Sequence, residues 1–371
     1  MKKLYFIATH PYDLIIYKLI YPELCDRYSI ILIIFNHRYF DKYEYSFLIN
    51  FYNKVYQFKY IDYSKNIPSV YNQSINIKNK LKTLDVDEND IFINCTQTSF
   101  PVNIIMSIFR KNKHITLRRK ITVENEQNSS DKLSVLIKKN ILNNICEIVT
   151  NSYLTKTFDV NRTKNVNKIF YYKKNFYITL KYFDLLDEKI HKDSCFNLFV
   201  NYESNKNNNA SDYIYFFGSR MNDWNFINSS EKQLIHNMIQ DYISYLKSKG
   251  FNVIYVAHPL EKNINDFKDC TYNIEKLNAE MIFLKYSQDI KFTFSIGSTS
   301  TVSSLNFGIP SLAIYRIFNI EKMSKAFEAL FKNLPSYYFP NNYDELCKFD
   351  FIKNYQDAIT NKSKISIRNF V

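Results

Sequence analysis

Short apolar runs alternate with amphipathic stretches along the first 150 residues. The runs at 4–8, 29–35, 54–60, 90–94, 121–124 and 147–150 are β-branched or aromatic and nearly continuous. Runs of that kind mark strands buried on both faces of a parallel sheet. Stretches such as 11–24 and 101–110 fit helices between them. Alternation of β and α over this length predicts a doubly wound sheet. Residues 201–212 read Asn-Tyr-Glu-Ser-Asn-Lys-Asn-Asn-Asn-Ala-Ser-Asp, polar and without periodicity, and mark a linker. There is no repeat of solenoid type.

After the linker the pattern restarts. A strand at 213–217 ends in Gly218-Ser219-Arg220. Ser230 with Gln233 makes a capping box, followed by Ile235, Met238, Ile239, Tyr242, Ile243 and Leu246 at helical spacing. Lys247, Lys249 and Gly250 close that helix with basic charge and a left-handed cap. A strand at 251–257 ends in His258-Pro259, and one at 291–296 ends in Gly297-Ser298-Thr299-Ser300-Thr301. A short helix then stops at Gly308, and Pro310 leads into a strand at 311–315. The expected class is α/β, with two Rossmann-like domains and a cleft between them. The expected boundaries are an acceptor-side domain at 1–200, the linker at 201–212 and a nucleotide-sugar-binding domain at 213–345. A C-terminal helix at 346–371 is expected to pack back on the first domain.

Composition narrows the class. A chain of 371 residues, 46% hydrophobic, has ample material for packed cores and is not disordered. No apolar run approaches the roughly 20 residues of a membrane span; the best, Tyr28 to Phe35, has eight. Met1-Lys2-Lys3 mimics the start of a signal peptide, but the apolar stretch behind it stops at His10-Pro11 and Asp13. The reading is a first buried strand in a cytoplasmic protein. The six cysteines form no CxxC or zinc spacing and read as reduced, mostly buried thiols. The net charge of +13 has two readings: attraction to phosphate, nucleic acid or anionic lipid, and solvated lysines from a biased composition. Glycine is the informative count. Average usage would give roughly 26, yet the chain has four, at 218, 250, 297 and 308. A chain this sparing keeps glycine where the backbone requires it, which draws attention to 213–315.

Open α/β sheets bind ligands at the carboxyl ends of their strands. Gly218-Ser219-Arg220, His258-Pro259 and the hydroxyls at 298–301 all sit there. Hydroxyl residues at a helix start, after a glycine, suit a phosphate; simple N-capping is the other reading, although one cap needs only one hydroxyl. A histidine at a strand end can donate to a phosphate or protonate a leaving oxygen; a structural histidine is the alternative. Glu261 is a candidate to orient its ring.

His258-Pro259 followed by the Ser/Thr cluster, in this order on a second Rossmann-like domain, resembles the bacterial GT-B sialyltransferases and the related capsule polysialyltransferases and lipooligosaccharide sialyltransferases. The likeness covers about 213–315, including the Gly308-Ile309-Pro310 ending. It implies that His258 contacts the phosphate of CMP-sialic acid and acts as the acid on departing CMP. Ser298 and Thr299 would bind that phosphate, with Gly218, Ser219, Arg220, Pro259, Gly297, Ser300 and Thr301 around the donor. The family also carries a carboxylate pair before a glycine in its first domain, the second acid being the general base. Here the matching loop reads Glu124-Asn125-Glu126-Gln127. Asn125 stands at the base position, and a neutral amide takes no proton at pH 7. Glu124 or Glu126 is therefore the expected base, with Asp13 and Asp131 in reserve and a plain solvated loop as the alternative.

Arg110, Lys111, Lys113, Arg118, Arg119 and Lys120 gather before that loop. They read either as a solvated basic face or as contacts to an anionic glycan or the inner membrane surface; Arg118 and Arg119 are the named acceptor candidates. His10 is a third, or a helix start at Pro11 explains it. Asp85, Asp87, Glu88 and Asp90 read as turn caps rather than a metal site. The implied activity is transfer of a nonulosonic acid from a CMP-activated co-substrate to a capsule or lipooligosaccharide glycan, without metal or other cofactor. Two alternatives remain. One is a transferase using CMP-Kdo or a nucleoside-diphosphate sugar, for which Glu275, Glu280 or Glu321 would hold the ribose. The other is a non-catalytic basic protein binding glycan or nucleic acid, although no RNA-binding signature is present and no nucleic-acid partner is expected.

Overall fold

The computed structural model describes residues 2–36, 40–63, 65–95, 99–119, 141–142, 144–146, 148–150, 175–181, 195–197, 212–221, 224–258, 261, 267–307, 309–331 and 338–348. The chain divides into two compact units, built mainly from Met1–Lys181 and from Asn197–Lys364.

In the first unit the elements run β1 (Lys3–Ala8), α1 (Pro11–Ile20), β2 (Ser29–Asn36), β3 (Lys54–Lys59), α2 (Ile67–Leu81), β4 (Ile91–Asn94), α3 (Phe100–Ile108), β5 (Lys113–Arg119), β6 (Asn175–Lys181) and β7 (Cys195–Asn197). The seven strands lie in the order β3-β2-β1-β4-β5-β6-β7, and β1 to β6 pair in parallel. The continuous apolar runs of β1 and β2 are buried along nearly their whole length, as helices on both faces demand. The acidic cluster before β4 holds its turn. Asp90 is buried and accepts from the Lys3 and Asp87 N–H groups, both at 2.9 Å, while Lys3 pairs with Asp85.

One strand expectation needs correction. Residues 148–150 are helical, as are 144–146. Ile145 and Val149 are buried and Ile148 is 63% exposed, so the apolar spacing there is four residues, not two. The strand expected at 121–124 lies outside the described residues. The strand that follows α3 is β5, within the segment read above as a basic face. Its charged ends concealed it: Ile115 and Leu117 are buried on one face, and buried His114 and Thr116 on the other read as polar. Both have partners, His114 Nε2 with the Phe109 carbonyl at 2.9 Å and Thr116 Oγ1 with Asn94 Nδ2 at 3.2 Å.

The second unit runs β8 (Tyr213–Phe217), α4 (Ser229–Ser248), β9 (Asn252–Val256), β10 (Thr271–Tyr272), α5 (Ala279–Tyr286), β11 (Ile290–Ser295), α6 (Thr299–Asn306), β12 (Ser311–Ala313), α7 (Glu321–Phe331) and α8 (Tyr343–Cys347). Its five parallel strands lie in the order β10-β9-β8-β11-β12. The α/β class with two Rossmann-like units is thus what the chain adopts. In α4, Ile235, Ile239, Tyr242, Ile243 and Leu246 are buried as their spacing requires. The capping box differs from the expected Ser230–Gln233 pair. Asn228 is the cap and Glu231 its partner, and the Ser230 hydroxyl donates to Asn228 Oδ1 at 2.9 Å. Asn228 wins because its own backbone is extended, as a cap's must be. Gly250 takes φ +87° at the helix end, as expected. α8 packs on α4, with Tyr245 donating to the Cys347 carbonyl at 3.0 Å; the rest of the tail lies outside the described residues. Cys95 and Cys146 are buried, but Cys25 is exposed and Cys270 and Cys347 are partly so, which corrects the expectation of mostly buried thiols.

His114 carries a pH signature. Burial lowers its pKa from 6.5 to about 4, against the smaller opposing effect of the Phe109 carbonyl. The folded state therefore resists a proton that the unfolded chain takes up below pH 6.5, and stability is lost as pH falls from 6.5 toward 4. Urea unfolding should show about 2 kcal/mol lost on this account between pH 7.5 and 5. His114→Phe should flatten that slope; an unchanged slope contradicts the assignment.

Candidate functional site

One backbone register organises the carboxyl edge of the second sheet. Phe217 is the partner of Val256 on one side and of Ser295 on the other. The chain therefore leaves β8, β9 and β11 in a single row, at Gly218, Ala257 and Ile296, and the Gly218 N–H donates to the Val256 carbonyl at 2.8 Å. β8 connects outward to β9 while its other neighbour, β11, connects to β12 in the opposite direction. That is the topological switch point, where the diverging loops of a doubly wound sheet leave a crevice. Gly218-Ser219 and Gly297-Ser298 flank it, and His258 stands one strand away.

The hydroxyls at this edge divide into two sets. Most hold the local fold. Ser295 Oγ accepts from the Ser298 N–H at 3.1 Å and lies 2.8 Å from Thr301 Oγ1; Ser298 Oγ accepts from the Ser300 N–H at 3.2 Å. Ser303 donates to Glu280 at 2.7 Å, and Ser304 to the Ile309 carbonyl at 3.1 Å. Thr299, the first residue of α6, is exposed. Two hydroxyls differ. Ser219, 5% exposed, and Ser300, 6% exposed, have buried oxygens with no hydrogen-bond partner. A buried hydroxyl left unmade costs about 1–3 kcal/mol, and these two sit on the loops that flank the switch point. Ser300 also lies in the first turn of α6, where the helix dipole favours an anion, the Ser300 and Thr301 N–H groups being bonded to Ser298.

His258 is half-buried at the exit of β9. The Glu261 carboxylate accepts from the His258 N–H at 3.0 Å, and the Tyr255 hydroxyl lies 3.0 Å from each of its oxygens. The Glu261 N–H donates back to the His258 carbonyl at 2.8 Å. Glu261 thus clamps the backbone of the histidine turn. Gly218 must lack a side chain because a Cβ would strike the Tyr255 hydroxyl; at Gly297 a Cβ would stand 2.5 Å from the Phe327 ring. Phe327 in turn lies against Trp224, the single tryptophan, at 5.6 Å between ring centroids. Tyr255, Phe327 and Trp224 were not singled out in the sequence, since isolated aromatics among 31 Tyr and 31 Phe carry no signal. Arg220 is exposed; Pro259 and Gly308 lie outside the described residues.

In the first unit, His10 is the N-cap of α1: its Nδ1 accepts from the Tyr12 N–H at 3.2 Å. Asp13 is buried and accepts from the N–H groups of Thr9 and His10 at 2.8 and 2.9 Å, which makes it a structural acceptor at the end of β1. Arg118 and Arg119 close β5 at its carboxyl end. Glu124, Glu126 and Asp131 lie outside the described residues. Of the ribose candidates, Glu280 holds Ser303, Glu275 holds Lys285 and Tyr286, and Glu321 pairs with Lys325 on its own helix. Among the described residues no group of three His, Cys, Asp or Glu side chains is placed to hold a metal ion, and no helix is long and apolar enough to cross a membrane.

No family model and no curated protein matches the sequence. Solved structures are similar to it along its length. UDP-GlcNAc 2-epimerase from Methanocaldococcus jannaschii is 13% identical with a TM-score of 0.45, over 98% of this chain and 94% of that one. The Neisseria meningitidis UDP-GlcNAc 2-epimerase bound to UDP-GlcNAc is 11% identical with a TM-score of 0.45, over 98% and 95%. A variant of the wall teichoic acid polymerase TagF is 12% identical with a TM-score of 0.45, over 96% and 81%. At these values the three assign neither a residue nor a reaction to this chain.

The two sets of hydroxyls should separate in denaturation. Ser219→Ala and Ser300→Ala should leave stability unchanged within about 1 kcal/mol or raise it, because they remove groups with nothing to lose. Thr301→Val, which breaks the contact with Ser295, should cost about 1–2 kcal/mol. Equal losses for all three would show that Ser219 and Ser300 have partners after all.

Proposed function

We propose that the protein is an inverting glycosyltransferase that moves a sialic acid, or a related nonulosonic acid, from a CMP-activated donor to a surface glycan. The observation that carries this is the pair of buried, partnerless hydroxyls of Ser219 and Ser300 at the switch point, one row from His258. Two donors on the loops that flank the switch point, one of them at a helix start, suit a phosphate ester. The order of His258-Pro259 and the 298–301 cluster supports the CMP-sialic acid version, through the resemblance to the GT-B sialyltransferases. The two α/β units accord with that architecture.

In this reading the acceptor oxygen attacks the anomeric carbon while the bond from that carbon to the phosphate oxygen breaks. His258 hydrogen-bonds or protonates the departing phosphate; Ser219, Ser300 and the positive end of the α6 dipole hold its charge, and Arg220 adds a cation at the rim. A carboxylate takes the acceptor proton, and Glu124 or Glu126 is proposed for it, since Asp13 is committed to the start of α1. His10, Arg118 and Arg119 are proposed to meet an anionic acceptor glycan, and the basic balance suits work at the inner face of a membrane. A nucleoside-diphosphate sugar is the weaker reading, because Glu275, Glu280 and Glu321 all have partners of their own.

Release of CMP from CMP-sialic acid should fall about 100-fold or more in His258→Ala, the usual weight of a general acid. CMP should raise the melting temperature more than UDP or GDP does, since a ligand of the folded state stabilises it by mass action. Full activity in the variant removes the histidine from the chemistry, and a shift with UDP alone removes the CMP donor.

A further inference from the structure

We infer that Arg316 receives a second negative group of the donor, so that the ligand of this site carries two anions and not one; the inference rests on the switch point being a nucleotide-sugar site. β12 lies beside β11, with Ala313 opposite Ser295, and the Ile314 N–H donates to the Ser295 carbonyl at 2.9 Å. The chain therefore leaves β12 in the same row as β8, β9 and β11. It turns at once into a 3₁₀ helix, Tyr315–Phe318, which carries Arg316 over the carboxyl edge. The Arg316 Nε is buried and has no hydrogen-bond partner, while the rest of the side chain is partly exposed and interacts with the hydroxyl of the adjacent Tyr315. The guanidinium lies over the Phe339 ring, 5.1 Å from its centroid. Arg316 makes a loose ion pair with Glu328, whose Oε1 lies 3.8 Å from Nη2 and which is half exposed. Glu328 follows Phe327, the ring that covers Gly297, so Arg316 and the start of α6 border the same turn of α7.

A guanidinium has five donors and no acceptor, and a buried donor among them is stable only when an acceptor meets it. Here the Phe339 ring holds one side of the guanidinium while a buried donor stays unmade, which leaves its fork for a carboxylate or phosphate. The chemistry is shared by two sources: the carboxylate beside the anomeric carbon of a nonulosonic acid, and the second phosphate of a nucleoside diphosphate. The bland role, stacking that only holds the 3₁₀ turn, would leave ligand selectivity untouched.

Calorimetric titration of the full chain with CMP, CMP-sialic acid and CDP separates these. Arg316→Gln should raise the Kd of a two-anion ligand about tenfold or more while leaving that of CMP within about twofold. Loss confined to CMP-sialic acid assigns the carboxylate, and loss confined to CDP assigns the phosphate. Arg316→Lys, which keeps the charge without the fork, should show the same selectivity at smaller size, and it carries the test should the Gln variant not fold. Equal weakening of all three ligands, or of none, overturns the inference; so does a selective loss in Arg220→Gln with none in Arg316→Gln. In those cases CMP binding that falls in Ser300→Ala still leaves the phosphate site standing. Failure of the unmutated protein to bind any of the three overturns both.

Discussion

The double pairing of Phe217, with Val256 on one flank and Ser295 on the other, is the constraint on which the candidate site depends. A shift of one residue in either register would carry Gly218 or Gly297 out of the row and turn every side chain to the opposite face. The register is held by what lies behind it. Phe216 and Phe294 stack at 4.5 Å between centroids, and Tyr242 of α4 meets the Phe294 ring edge-on. Apolar packing in the core thus fixes the height at which three polar loops leave the sheet. The loops add their own restraints, Glu261 at the histidine turn and Ser295 beneath the start of α6.

The two partnerless hydroxyls stand out because their neighbours are so thoroughly used. Around them Ser295, Ser298, Thr301, Ser303 and Ser304 all have partners within the fold. Arg316 is a third deficit on the same edge. Ser219, Ser300 and Arg316 place three unmade donors on adjacent loops of one sheet, an arrangement that an anionic ligand would meet.

What the sequence made legible follows from which physical signals are local. Continuous apolar runs announced β1, β2 and β8, because nothing but burial on both faces explains them. The helical spacing from Ile235 to Leu246 and the left-handed Gly250 announced α4. β5 was hidden by His114 and Thr116, polar residues whose burial is made possible by the Phe109 carbonyl and the Asn94 side chain. The helix around 145–149 was hidden because a short apolar run has no unambiguous period. At the site, glycine scarcity and the strand-end motifs pointed to Gly218, Gly297, His258 and the hydroxyl cluster. They did not reveal that Thr301, Ser303 and Ser304 serve the fold while Ser219 and Ser300 do not. That division depends on tertiary neighbours such as Glu280 and Ser295. Nor did they reveal Arg316, one of many basic residues in a chain of charge +13.

A crystal structure with CMP bound tests the central claim most directly. The account predicts the phosphate at the switch point, with its oxygens within hydrogen-bonding distance of Ser219 Oγ and Ser300 Oγ and a ring nitrogen of His258 beside it. CMP seated elsewhere, or a phosphate held there while both hydroxyls turn to protein partners, would contradict it.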